Sequence, residues 1–185
     1  DAMTMIHEHA AEWHVDPDAI AVIGFSAGGH LAANLATSTS DDVLVAHGYD
    51  PDAVRPNGLM LAYPVITSGP LAHRGSFDSL LGERRNDSQA LESVSIERHI
   101  DAKTPPVFAW HTVPDETVPY ENTLMLIDAC KKAGVSIEAH LFPQGGHGLS
   151  LGTAETAWQG VNGIEPSMQI WTQLAVAWMR RTFAR

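Results

Sequence analysis

A serine flanked by small residues stands where an apolar run gives way to a helical pattern, in Gly24-Phe25-Ser26-Ala27-Gly28. A G-x-S-x-G pattern between a strand and a helix lifts a serine hydroxyl clear of a sheet on a strained turn, with glycines letting the two arms come close. On its own the pattern arises by chance in roughly one chain of this length in twenty. A serine hydroxyl is also a poor nucleophile until a base takes its proton, so the chemistry needs a histidine and a carboxylate to orient it. His147 fits the first need: "FPQGGHGL" directly follows an apolar strand pattern, and its glycines permit a loop tight enough to aim an imidazole back at the strand ends. Asp115 fits the second, in the "HTVPDETVPY" loop after an earlier strand pattern, with Glu116 beside it as the alternative carboxylate. The backbone N–H of Ala27, at the start of the helix after Ser26, is placed to donate to a developing oxyanion.

The other nine histidines compete poorly. His7, His9 and His14 lie on or beside the first helical pattern, upstream of the serine. His30, one turn beyond Ser26, is expected to pack behind the turn. His47, His73 and His99 fall in loop or inserted sequence, where His73 or His99 could line a pocket; His111 and His140 lie in strand patterns. His7-Glu8-His9 would put its imidazoles on different sides of a helix, and there is no H-E-x-x-H or cysteine pair, so neither a metal nor another cofactor is expected.

Alternating elements must carry these residues. Ala2, Ile6, Ala10 and Trp13 share a helical stripe in residues 1–15, and Asp16-Pro17-Asp18 stops it. "AIAVIGF" reads as a strand buried on both faces because its apolar residues run together, and "AGGHLAANLAT" reads as the next helix. Residues 58–66, 105–113 and 135–142 give three further strands. Residues 121–134 give a helix stopped at Gly134, and residues 165–183 a final helix with Pro166 in its first turn. Residues 67–104 are the most polar stretch and read as a lid-like insertion of short helices. The pattern predicts an α/β fold, with a mostly parallel sheet and helices on both faces, in one domain spanning residues 1–185.

Composition excludes several alternatives. With 11 Lys and Arg against 22 Asp and Glu in 185 residues, the net charge of -11 disfavours nucleic acid and anionic membrane surfaces and leaves small neutral substrates open. No apolar run is long enough to span a membrane. The single cysteine, Cys130, allows no internal disulfide, suits a reducing, cytoplasmic compartment, and is expected as a small buried residue of its helix.

With Ser26, Asp115 and His147 in the order serine, acid, histidine, the chain resembles the small bacterial esterases of the α/β-hydrolase superfamily, near the acetyl-esterase, acetylxylan-esterase and feruloyl-esterase-like group. "GFSAGGHLAA", "AYPVIT", "SLLG", "TPPVFAWHTVPDETVPYENTL" and "HLFPQGGHGLSL" carry that resemblance. It implies ester hydrolysis through an acyl-enzyme on short-acyl esters, with sugars or xylan fragments as the alcohol side. It also implies N-terminal strands before the serine and an H-G-G-type segment completing the oxyanion hole, neither of which this sequence contains. "AIAVIGF" is therefore expected to leave an apolar sheet edge, with its neighbours supplied by upstream sequence, a second chain or a swapped partner. Two other readings share these residues: a serine peptidase of the prolyl-oligopeptidase type, and a catalytically incomplete binding module.

Overall fold

The computed structural model describes residues 1–38, 41–159 and 162–184. Its four strands are β1 (Ala21–Phe25), β2 (Gly58–Ala62), β3 (Val107–Thr112) and β4 (Ile137–Phe142). They form one parallel sheet in the order β1-β2-β3-β4, registered from Ala21 opposite Gly58 at one end to Thr112 opposite Phe142 at the other. Helices α1 (Ala2–Glu8) and α2 (Ala10–Trp13) precede the sheet. α3 (Ala27–Thr37), α4 (Asp41–Ala46) and α5 (Pro51–Val54) connect β1 to β2. α6 (Arg74–Leu81) and α7 (Ser88–Ser93) connect β2 to β3, α8 (Glu121–Ala133) connects β3 to β4, and α9 (Trp171–Thr182) closes the chain.

Each new strand is added on the same side of the last, and right-handed crossovers then put the connecting helices α3 and α8 on one face. The core follows that rule. Leu59, Leu61, Val107 and Ala109 point to the face covered by Ala32, Ala33 and Ala36 of α3 and by Leu126 and Cys130 of α8. Their strand neighbours Met60, Ala62, Phe108 and Trp110 point the other way, onto Trp171, Ala175 and Trp178 of α9. The alternation is the period of two expected of strands, and small alanines let α3 lie close to the sheet. Each large side chain buried this way contributes about 1.5–3 kcal/mol relative to exposure. Cys130 is a free, buried thiol in this core, as its helical position implies.

The 67–104 segment is docked rather than loose. Asn122, fully buried at the start of α8, accepts the N–H groups of Ile66 and Thr67 and donates to the carbonyls of Leu71 and Pro119. Every hydrogen-bonding position on that amide is used, which ties the start of the 67–104 segment to the strand layer.

Several expectations need correction. The first helix is two pieces meeting at His9. Met3 and Ala10 face inward, while Trp13 is 46% exposed and stacks on the ring of His9 outside the core. β1 is not buried on both faces: among the described strands it pairs only with β2, and Ile23 is 45% exposed. Helices α4 and α5 occupy the stretch before β2, to which the sequence patterns assigned no element, with Asp50 capping α5 through the Asp52 N–H. The final helix starts at Trp171, after a separate turn of 3₁₀ helix at Pro166–Met168.

Candidate active site

β1 ends at Phe25 and α3 begins at Ala27, leaving Ser26 alone on the turn with φ 53° and ψ −121°. That backbone conformation is one L-residues rarely adopt, and it persists only where the surroundings enforce it. Here the enforcement comes from β2. The Ser26 N–H donates to the Ala62 carbonyl at 3.0 Å, and the Ser26 carbonyl accepts the Val65 N–H at 3.2 Å. Gly24 is required for steric reasons, since a Cβ there would stand 2.2 Å from the Gly28 carbonyl oxygen. At Gly28 itself a Cβ would meet open space, and the second close approach belongs to Gly29, whose Cβ would lie 2.9 Å from Pro64. Ala27 opens α3, so its N–H belongs to the first turn, whose donors have no intrahelical acceptor.

His147 and Asp115 reach the same place from the loops after β4 and β3, at the carboxyl ends of the strands where α/β sheets assemble their sites. Ser26 Oγ lies 2.7 Å from His147 Nε2, and His147 Nδ1 lies 2.7 Å from Asp115 Oδ2. A carboxylate accepts, so the Nδ1 hydrogen points at Asp115; in the neutral ring Nε2 is then the acceptor for the serine hydroxyl. Glu116, the alternative carboxylate, is exposed.

The acid is buried, 5% exposed, and surrounded by donors. Its Oδ1 accepts the N–H groups of Thr117 and Val118, both at 2.9 Å. Its Oδ2 receives His147 and also faces His111 Nε2 at 3.3 Å. Burial works against the charge, but the bonds from His111, His147 and the Val118 N–H outweigh it and hold the Asp115 carboxyl well below the usual carboxylate range. His111 was legible only as a strand residue. Its Nε2 must carry hydrogen because it also reaches the Val118 carbonyl at 2.9 Å, while Nδ1 meets the Thr123 hydroxyl at 2.8 Å. Tyr63, directly after β2, is a second unforeseen neighbour, with its ring 5.0 Å from that of His147.

The remaining histidines serve elsewhere. His30 is buried and donates to the Val94 carbonyl at 2.7 Å, packing behind the turn as expected, and burial lowers its pKa. His73 bonds Ser76 at the start of α6, and His99 lies 3.3 Å from the Glu92 carbonyl. A cavity of about 350 Å³ beside the serine turn is lined by Ala27, His30, Leu31 and Asn34 of α3 with Ser76, Phe77, Leu80 and Val94 of the insertion. A larger one, of about 620 Å³, lies between the insertion and α8, away from Ser26, Asp115 and His147. Among the described residues no group of three His, Cys, Asp or Glu side chains could hold a metal ion, and no helix is long and apolar enough to cross a membrane.

The chain is similar to characterised proteins along most of its length. It is 34% identical over 168 residues to endo-1,4-beta-xylanase B of Butyrivibrio fibrisolvens, covering 91% of this chain and 26% of that protein. It is 29% identical over 153 residues to the acetylxylan esterase of Xylanibacter ruminicola, covering 80% of this chain and 30% of that protein. Among solved structures, the acetyl ester-xyloside bifunctional hydrolase of Caldicellulosiruptor lactoaceticus superposes with a TM-score of 0.79 at 36% identity, covering 97% of this chain and 62% of that one. The chain thus spans under a third of the curated relatives and under two thirds of the solved one. Residues 1–129 match the BD-FAE family, so the chain belongs to that family and carries the α/β-hydrolase fold.

Proposed function

We propose that the chain carries the catalytic residues of a serine carboxylic-ester hydrolase. The observation that supports this reading is the unbroken line of two 2.7 Å hydrogen bonds from Ser26 through His147 to Asp115. In this reaction His147 Nε2 takes the Ser26 proton as Oγ attacks the ester carbonyl, and Asp115 holds the imidazole and stabilises the imidazolium. The Ala27 N–H donates to the tetrahedral oxyanion. His147 then returns its proton to the leaving alcohol, giving an acyl-Ser26, and a water activated by His147 releases the acid and restores the serine.

Short acyl groups, acetyl above all, on sugars or xylan fragments are the proposed substrates. Support comes from relatives named acetylxylan esterase and acetyl ester-xyloside hydrolase. The insertion, residues 67–104, is proposed as a lid-like wall of the substrate site, since Ser76, Phe77, Leu80 and Val94 share a cavity with Ala27. The unpaired side of β1 and the second oxyanion donor are proposed to be completed by a neighbouring segment outside these 185 residues; the apolar, half-exposed Ile23 supports this.

The test is a fluorophosphonate probe with Ser26→Ala as control, followed by turnover of p-nitrophenyl acetate against an aminoacyl nitroanilide. Labelling that depends on Ser26, with turnover of the acetate alone, is the expected result. Preference for the nitroanilide would move the reading to a peptidase. Labelling that survives Ser26→Ala would overturn the assignment of the nucleophile.

A further inference from the structure

Five non-glycine residues in the described chain have positive φ, and three of them converge on one place: Ser26 (53°), Tyr63 (38°) and Ser150 (53°). For a bulky residue such as tyrosine this conformation is an outlier that the surrounding structure must enforce. Tyr63 and Ser150 are 87 residues apart in sequence, yet the Ser150 N–H donates to the Tyr63 hydroxyl at 3.0 Å. Ser150 is three residues past His147, on the same loop.

The segment around Tyr63 holds the nucleophile as well. Ala62 and Val65, on either side of Tyr63-Pro64, bond the N–H and carbonyl of Ser26, and Pro64 packs against Gly29. Between those two anchors the chain turns through Tyr63, whose N–H stays on the Trp110 carbonyl at 2.7 Å. The turn sends the tyrosine ring edge-on against the His147 imidazole, with centroids 5.0 Å apart and planes at 69°, while Trp110 backs the ring at 5.0 Å and 85°. Burial raises the phenol pKa, against the Ser150 N–H, whose bond to the phenol oxygen lowers it. Thr112 supports the other flank of the loop, donating to the Gly146 carbonyl at 3.0 Å.

Resting on the esterase reading above, we propose that Tyr63 is a positioning residue for the base: its strained turn fixes His147 against the same stretch of β2 that fixes Ser26. Asp115 holds the imidazole through one nitrogen and leaves the ring free to swing about that bond. The edge of Tyr63 blocks the swing, and its hydroxyl pins the loop beyond. Nucleophile and base come from strands that are not adjacent, so a shared reference between them keeps their 2.7 Å separation. Misplacement of a catalytic group by about 1 Å is enough to cost about a hundredfold in rate.

The test uses Tyr63→Phe and Tyr63→Leu. Tyr63→Phe keeps the ring and loses one hydrogen bond; kcat should fall about tenfold with KM unchanged, and the Ser150 amide should exchange with solvent faster while amides of β2 and β3 do not. Tyr63→Leu removes the ring edge too and should lower kcat by about a hundredfold. Wild-type kcat in Tyr63→Phe, or a loss in both variants that only tracks the folded fraction measured by circular dichroism, would overturn the proposal. The exchange measurement needs no turnover. If the wild type fails to label at Ser26 even with the completing segment supplied, the esterase reading fails by itself; unchanged Ser150 exchange in Tyr63→Phe sinks the positioning role whether or not the enzyme is active.

Discussion

Asp115 and Ser26 stand at opposite ends of one hydrogen-bonded line and are held by different means. Asp115 leaves β3, a strand with a neighbour on each side, and is buried among four donors contributed by Thr117, Val118, His111 and His147. Ser26 leaves β1, which among the described strands pairs on one side only, and among the described residues its side chain bonds His147. The acid end is fixed by electrostatics in a dry environment. The serine end is fixed by backbone sterics, with Gly24, Gly29 and the bonds to β2 forcing a positive φ. Changes of charge should therefore dominate at one end and changes of shape at the other.

The largest effect tests the acid end. Asp115→Asn keeps the shape and removes the charge, and under the proposed function kcat should fall by about 10⁴, the loss typical when a serine–histidine–aspartate triad loses its carboxylate. Stability should change in a pH-dependent way. Because the folded carboxyl is held below its unfolded value, the stability it contributes is complete above about pH 4 and is lost as pH falls below that value. Denaturant unfolding of wild type and variant should converge as pH falls from 4 toward 2. A constant gap would show that the charge is not what holds Asp115.

At the serine end, Gly24→Ala adds one methyl group and no charge. It would place Cβ 2.2 Å from the Gly28 carbonyl oxygen, so the turn must open. We expect a fall in fluorophosphonate labelling rate of about a hundredfold with no change in its pH profile. An equal loss at every step of the pH profile sharpens the comparison, whereas a shifted profile breaks it.

His111→Asn should have a smaller effect, about tenfold in kcat, because Asp115 keeps three of its four donors. Losing the His111 bond lets the Asp115 carboxyl move back toward its ordinary value, so the stability that this carboxylate contributes above about pH 4 should be smaller than in the wild type. Tyr63, His147 and His111 are the titratable groups facing this carboxylate. An unchanged pH-dependent contribution in urea unfolding would reduce His111 to packing. Least of all, Ile23→Thr on the open side of β1 should change stability by no more than about 0.5 kcal/mol in urea unfolding.

The same contrast explains what could be read from the sequence. Ser26, Asp115 and His147 each follow a strand pattern and sit among turn-forming residues, and these local signals are enough to place them at one end of a parallel sheet. His111 and Tyr63 carry no such signal. His111 looks like any residue of a buried strand, and its contact with Asp115 depends on how the loop after β3 folds back over it. Tyr63 matters because β2 runs between the strands that bear Ser26 and Asp115, which is a fact of strand order. The outward turn of Trp13 and the exposure of Ile23 were hidden for a related reason. An apolar residue states that it can be buried, not that a neighbour is there to bury it.

The aromatic wall behind His147 has an optical consequence. Trp110 stacks on Trp171 at 5.3 Å and 26°, and Trp110 also touches the Tyr63 ring that abuts His147. Trp110, Trp171 and Trp178 are buried, whereas Trp13 and Trp158 are each 46% exposed. Iodide should therefore quench the red part of the emission and leave the blue part intact. The protected blue component, together with the near-ultraviolet signal of the stacked indole pair, becomes a built-in reporter on the packing that backs His147, readable without substrate or label.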